Sequence, residues 1–280
     1  MKALEPAKLD FSKQNSEHKG ENGRIVVIGG SPDYVGCVYL AALAALRSGA
    51  DIVEVIAPEK VAWAINCSTP DLITHKVKAE YLGIPHFNVM KNVISRADVL
   101  LFGNGLGTRS STAQLVNKLS EFNGFKVIDA DALKLLKLKN LTNAVLTPHF
   151  YELKQLLSNN KIRFTDTSSH EMLASSTQRL LKEFLVQNNV VLLKGRTDYL
   201  ITKEEVFYNK LGNSRLRVAG TGDVLAGVVA GVLAQTKHIV SSVRIALPAL
   251  CNAANMLYKE KQGAFLASEL LDHLHRAIFK

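Results

Sequence analysis

At residues 220–223 the chain reads Gly-Thr-Gly-Asp and passes at once into an apolar run dotted with alanine and glycine, residues 224–234. This stretch reads as a glycine loop that opens a buried helix. Gly220 and Gly222 can take backbone angles closed to other residues and leave no side chain in the way. The first turn of such a helix has free N–H groups and the positive end of the helix dipole. Together they form an anion site, suited to a phosphate or to the charge of a phosphoryl transfer. A carboxylate at its mouth, Asp223, would repel phosphate. It fits there if it faces a substrate hydroxyl and accepts or orients its proton. The plainer alternative is that Asp223 or Thr221 caps the helix.

The rest of the chain alternates. Residues 23–30, GRIVVIGG, form a β-branched run ending in glycines, a buried parallel strand followed by a loop. A helix over 38–48 closes at Gly49, and a strand over 51–57 stops at Pro58. Strand, glycine loop, helix, strand is a βαβ unit. The loop lacks G-x-G-x-x-G, so a dinucleotide-binding Rossmann fold has little support. A short helix and loop over 61–70 and a strand over 71–78 follow, and 81–91 reads ambiguously. Further strands are expected at 97–102, 125–128, 144–146 and 190–193, with a hairpin at 199–208. Helices are expected at 110–121, 151–157, 169–187, 241–261 (interrupted by Pro248) and 267–280. Strand after strand ends in a glycine or polar cluster and enters a helix. That pattern predicts an α/β layered fold with a mostly parallel central sheet flanked by helices, its site along the carboxyl ends of the strands. Residues 1–22 are polar and aperiodic and read as an N-terminal arm. No repeat or linker divides residues 23–280, which are expected to form a single domain.

Composition narrows the function. The balance of 34 basic against 25 acidic residues gives +9, but the excess is spread out. With no basic block carrying interleaved aromatics, nucleic acid is not an expected partner. A positive field also suits a polyanionic small substrate. The longest purely apolar run is too short to span a bilayer, so no membrane role is expected. The three cysteines, Cys37, Cys67 and Cys251, lie far apart without zinc spacing. Their odd number and the lack of a signal peptide point to a reducing cytoplasm. The apolar helices leave room for subunit packing, and a homo-oligomer is expected.

Six polar clusters stand at strand ends: residues 31–36, 103–108, 129–131, 147–149, 194–198 and 220–223. Each has a plain reading. Residues 103–108 could be a turn. Asp129 and Asp131 could bond neighbouring backbone. His149 could be a satisfied surface histidine, and Lys194 a solvated charge. A parallel sheet would bring all six to one rim, and that convergence favours a site. No serine-hydrolase elbow, H-E-x-x-H pair or P-loop is present.

The order and wording of these clusters resemble the ADP/ATP-dependent NAD(P)H-hydrate dehydratases, a branch of the ribokinase-like superfamily. The resemblance rests on GGSPDYVGCVYLAALAALRSGADIVEVIAP, FGNGLGT, VIDADAL, LTPH, LLKGRTD and AGTGDVLAGVVAG, which run over residues 23–231. GTGD alone marks only the superfamily; VIDADAL with LTPH and the opening GGS segment is more specific. The resemblance implies a three-layer ribokinase-like fold and repair of hydrated, inactive NADH and NADPH. The ring hydroxyl would be phosphorylated by ADP or ATP, and phosphate would then leave. It implies that Cys37, Gly105, His149 and Asp223 touch the hydrated dinucleotide, with Asp223 catalytic. It also implies that Lys194, Gly195, Arg196, Thr197, Asp198, Gly220, Thr221 and Gly222 hold the adenine nucleotide. Mg²⁺ would be shared with the phosphates, with no dedicated protein ligands. The chain departs from the family pattern in four places. Cys37 stands where alanine is usual and Asn104 where proline is common. Phe150-Tyr151-Glu152 replaces a segment with glycine in the middle, and Ala219 replaces the first glycine of GGTGD. A small-molecule kinase for a vitamin precursor shares the fold and GTGD and is the alternative.

Overall fold

The computed structural model describes residues 1–10, 18, 20–163 and 169–279. Residues 11–17 and 19 of the expected arm, the polar loop at 164–168, and Lys280 lie outside the described residues. In chain order the elements are β1 (Lys2–Ala3), β2 (Arg24–Ile28), α1 (Val35–Arg47), β3 (Ile52–Pro58), α2 (Glu59–Ser68) and β4 (Ile73–Val77). Next come α3 (Phe87–Ile94), β5 (Val99–Phe102), α4 (Ser110–Ser120), β6 (Phe125–Ile128), β7 (Ala144–Leu146), α5 (Phe150–Asn159), α6 (His170–Leu180) and α7 (Lys182–Leu185). The chain closes with β8 (Val190–Leu193), β9 (Asp198–Ile201), β10 (Val206–Asn209), α8 (Thr221–Thr236), α9 (Ile239–Lys261) and α10 (Leu270–Ile278).

Ten strands form one sheet in the order β1-β10-β9-β8-β7-β6-β5-β2-β3-β4. β9 runs antiparallel to both neighbours, and the other pairings are parallel. Side chains alternate between the two faces of a strand. Ile25 and Val27 of β2 therefore join one core with α1, α2, α8, α9 and α10, while Val26 and Ile28 join a second core with α3 to α7. Both faces are covered, so the central strands carry near-continuous apolar runs. The result is the expected three-layer α/β fold with a mostly parallel sheet.

The apolar run after Asp223 becomes α8, buried from Val224 to Ala234. It lies so close to α1 that a Cβ on Gly227 would fall 2.1 Å from the Ala41 carbonyl oxygen. A Cβ on Gly231 would fall 2.5 Å from the Ala45 carbonyl oxygen. These two glycines set the helix spacing, and the spacing fixes where α8 begins above the sheet.

Three details differ from the sequence reading. α9 is continuous through Pro248. Proline removes one helical hydrogen bond, but Pro248 is buried in the packed helix layer, which holds the backbone in line. By length and hydropathy α9 could cross a membrane, yet 67% of its most apolar window is buried within the protein. The helix expected over 169–187 breaks at Leu181, whose φ of −103° and ψ of 21° are not helical. At the N-terminus, Lys2 and Ala3 add a parallel edge strand to β10, Leu4 is buried, and Leu9 bridges to Phe279.

Gly227→Val should lower folding stability by on the order of 3 kcal/mol, because the Ala41 carbonyl cannot move aside without shifting α1. Chemical denaturation checks this, and an unchanged midpoint would contradict the packing described.

Candidate active site

Five adjacent parallel strands, β8, β7, β6, β5 and β2, deliver the expected clusters side by side. The first residue after β2 is Gly29, after β5 Gly103, after β6 Asp129, after β7 Thr147 and after β8 Lys194. The carboxyl edge of such a sheet is where ligands bind in folds of this kind. The chain crosses itself tightly there. A Cβ on Gly103, whose φ is +128°, would lie 1.8 Å from the Asp129 carbonyl oxygen, so only glycine fits. Ala130, between the two aspartates, has φ +51°, an unfavourable conformation for a residue with a Cβ.

α8 opens above this rim. Its N-cap is Gly220 at φ +94°, and no side chain caps it. The plain capping alternative for Asp223 and Thr221 is therefore not realised. The Thr221 hydroxyl donates to the carbonyls of Leu216 at 2.6 Å and Val218 at 2.9 Å. Asp223 sits in the first turn, where its Oδ1 accepts a 2.7 Å hydrogen bond from Asn104 Nδ2.

Asp129 is the hub beneath. It is 2% exposed. Its Oδ1 accepts from Thr147 Oγ1 at 2.7 Å and from Lys194 Nζ at 2.9 Å, and its Oδ2 accepts from Asn104 Nδ2 at 3.0 Å. Lys194 Nζ also lies 4.0 Å from Glu152 Oε2. Burial disfavours charge on this ammonium, but Asp129 and Glu152 outweigh burial and hold it above the usual lysine range. Lys194 is thus no solvated charge. A Cβ on Gly222 would be 3.4 Å from its Nζ, so the cation stands directly at the start of α8. Burial, and then the Asp129 charge, push the Asp223 carboxyl up to about 6, against the pull of the Asn104 hydrogen bond.

His149 caps α5. Its Nδ1 accepts the N–H groups of Tyr151 at 3.1 Å and Glu152 at 3.3 Å. Glu152 Oε2 returns the bond to the His149 N–H at 2.8 Å, a reciprocal capping box. An accepting Nδ1 puts the proton on Nε2. Burial, then the nearby Lys194, depress the ring and keep it neutral. The histidine is satisfied, as its plain reading held, yet its half-exposed ring also faces a cavity.

That cavity, about 980 Å³, is lined by His149, Lys194, Gly195, Arg196, Asp198, Thr221 and Gly222. The loop before α8 supplies Lys210 and Arg217 to its wall. Its volume lies at the large end of small-molecule sites, and four cations surround it. Asp198 accepts from Gly195 N–H at 3.0 Å and from Asn209 Nδ2 at 3.2 Å. Its carboxylate therefore braces the 195–198 loop. Thr197 and Gly220 lie off the lining. On the other side of Asp223, Gly105 is in close contact with Cys37 and Tyr34. The Cys37 thiol donates to the Tyr34 carbonyl at 3.3 Å. Burial, with Asp223 adding to it, pushes that thiol up to about 12, so it is no nucleophile. The sequence reading missed Asn104 as a site residue and named Asp129 without its role as hub.

The fold and rim define a ribokinase-like protein: a ribokinase-like superfamily protein of Enterococcus faecalis superposes with a TM-score of 0.79 at 25% identity, covering 95% of this chain and 89% of that one. More narrowly, residues 25–276 match the carbohydrate-kinase-like family described as NAD(P)H-hydrate dehydratase, and the chain belongs to that family. A bifunctional NAD(P)H-hydrate repair enzyme of Methanothermobacter thermautotrophicus is 36% identical over 276 residues, covering 93% of this chain and 50% of the relative. The chain spans about half the length of most curated relatives it matches. An ATP-dependent (S)-NAD(P)H-hydrate dehydratase of Batrachochytrium dendrobatidis is 30% identical, covering 78% and 73%. A Bacillus subtilis ADP/ATP-dependent NAD(P)H-hydrate dehydratase, co-crystallised with ATP and Mg²⁺, shares the fold with a TM-score of 0.77 at 24% identity, covering 96% and 93%.

The raised Asp223 carboxyl has a stability consequence. The folded state holds this proton to about pH 6, while the unfolded chain releases it near 3.8. Stability therefore falls as pH rises between those values, and above them the ionised group weighs against the fold. Asp223→Asn should stabilise the protein at neutral pH by on the order of 1–2 kcal/mol, with the gain vanishing below about pH 4. Urea titrations of both proteins across that range check it.

Proposed function

We propose that this chain dehydrates hydrated NADH and NADPH at the expense of ADP or ATP, a metabolite-repair lyase. The observation that carries the reading is one carboxylate, Asp223, fixed in the first turn of α8 beside a basic cavity of nucleotide size. Family membership and the activities named for the relatives support it. The cavity cations Lys194, Arg196, Lys210 and Arg217 and the α8 N–H groups suit a polyphosphate. Gly105 and Cys37 border the side left for the hydrated dinucleotide, and the neutral His149 ring faces it from the cavity lining. Among the described residues no group of three or more His, Cys, Asp or Glu could hold a metal ion. Mg²⁺ would arrive with the phosphates and neutralise their charge.

In the transfer step the ring hydroxyl oxygen bonds to the terminal phosphorus, and the bond from phosphorus to the nucleotide leaving group breaks. Such transfer needs mainly positioning and charge stabilisation. Asp223, with a carboxyl raised to about 6, is ionised at neutral pH yet a better base than an ordinary carboxylate. It takes or orients the hydroxyl proton, while Lys194 and the start of α8 meet the developing charge. The ring nitrogen lone pair then expels phosphate as the carbon–oxygen bond breaks, and loss of the adjacent ring proton restores the dihydronicotinamide.

The continuous sheet supports reading residues 23–280 as one domain, and the three free thiols suit a reducing cytoplasm. Exposed Trp63, Ile73 and Val89 leave apolar surface for a homo-oligomer.

Purified protein given chemically hydrated NADH, Mg²⁺ and either nucleotide should regenerate the dihydronicotinamide absorbance and release inorganic phosphate in equal amounts. Asp223→Ala should slow this by about 100-fold or more. The wild-type kcat/KM should fall on acidification through a limb at about pH 6. A stable phosphoester product with no absorbance gain would instead identify a small-molecule kinase.

A further inference from the structure

We propose that Asn104 is a positioning residue for the transfer step: its amide nitrogen bridges Asp223 Oδ1 at 2.7 Å and Asp129 Oδ2 at 3.0 Å and so holds the catalytic carboxylate in place. The inference rests on the reading of Asp223 given above.

Asn104 is fully buried. Its two amide hydrogens each serve one carboxylate, and its Oδ1 is buried without a hydrogen-bond partner among the described residues. The opposite flip of the amide would set that oxygen against two carboxylates, so electrostatics fix the orientation. An orphaned buried acceptor is unfavourable. Here it is retained where the two donors are most needed. The backbone clamps the residue as well. The Asn104 carbonyl accepts the Gly30 N–H at 2.9 Å, and a Cβ on Gly29 would fall 2.4 Å from the same oxygen. The backbone of Asn104 is therefore anchored to the end of β2, and its side chain reaches both carboxylates from that fixed point.

Among the described residues Asn104 is the only hydrogen-bond donor to the Asp223 carboxylate. The second oxygen, Oδ2, accepts no bond from them and is the one left for the substrate hydroxyl. Three acids act on this region. Asp129 and Asp131 both raise the Asp223 carboxyl, and Asp129 also faces Lys194, Thr147 and Glu152. Lys194 pairs with Asp129 at 2.9 Å and acts on Asp223 only through space. Without the Asn104 donor no hydrogen bond would link Asp129 to Asp223, and neighbouring carboxylates left so tend to share a proton. Asn104 puts a donor between the two carboxylates and aims them separately.

The test compares kcat/KM against pH for wild type, Asn104→Ala and Asn104→Asp, with thermal melts and calorimetric ATP binding as controls. In Asn104→Ala the acid limb should move up by about one pH unit, which lowers kcat/KM at pH 6 about fivefold. The KM for nucleotide should stay within about twofold, since the cavity cations are untouched. Asn104→Asp replaces the donor with a third carboxylate and should move the limb further. A packing role alone would change the melting temperature and leave the limb where it was. If Asn104→Ala does not fold, Asn104→Leu, nearer in volume, carries the same expectation. A limb unmoved in a folded variant overturns the role of Asn104 while leaving the proposed activity intact. Wild-type protein without dehydration, or with activity kept in Asp223→Ala, overturns the reading of the site itself.

Discussion

A buried carboxylate, Asp129, and a half-buried one, Asp223, lie close together at the rim of this sheet, and the rest of the site is arranged around that repulsion. Asp129 is matched by Lys194 at 2.9 Å, by Thr147 at 2.7 Å and by the Asn104 amide at 3.0 Å. Asp223 has the other half of the same amide at 2.7 Å. Lys194 extends the chain of contacts to Glu152, whose second task is to close the His149 cap on α5. One connected network thus joins the ends of β5, β6, β7 and β8 to the first turn of α8. It exists only because α8 begins where it does, and that is set by the close approach of Gly227 and Gly231 to α1. Core packing and site chemistry are here the same constraint.

The network leaves an asymmetry that chemistry can use. Asp129 is saturated with donors and is fit for holding a cation. Asp223 is left with one donor and a raised carboxyl, so it retains proton affinity. Two aspartates a short distance apart are distinguished by what each accepts, three donors on Asp129 and one on Asp223. The arrangement works against stability, as expected where function sets the geometry. The left-handed Ala130 between the two aspartates of that loop is a second such cost.

Much of this was legible in the sequence. The β-branched runs, each closed by glycine or polar residues and followed by helical spacing, gave the parallel sheet and its rim. Gly220 and Gly222 gave the start of α8, and the DAD, TPH and KGRTD clusters landed side by side. What escaped were relations across distance. Asn104 and Asp223 are 119 positions apart, and no local pattern pairs them. Lys194 reads as an ordinary charge until Asp129 is placed beside it. His149 is different: the spacing of His149 to Glu152 is that of a capping box, and a local reading could have found it. Pro248 misled because a proline usually ends a helix in isolation, whereas α9 is enclosed on its buried sides.

The central claim is that the hydroxyl oxygen of the hydrated ring becomes a phosphate oxygen before it leaves. Hydrated NADH labelled with heavy oxygen at that hydroxyl tests it most directly, by mass analysis of the released phosphate after a single turnover. The account predicts the label in inorganic phosphate. Label appearing in water, with unlabelled phosphate, would mean that nucleotide hydrolysis and dehydration are separate events, and would contradict a transfer centred on Asp223.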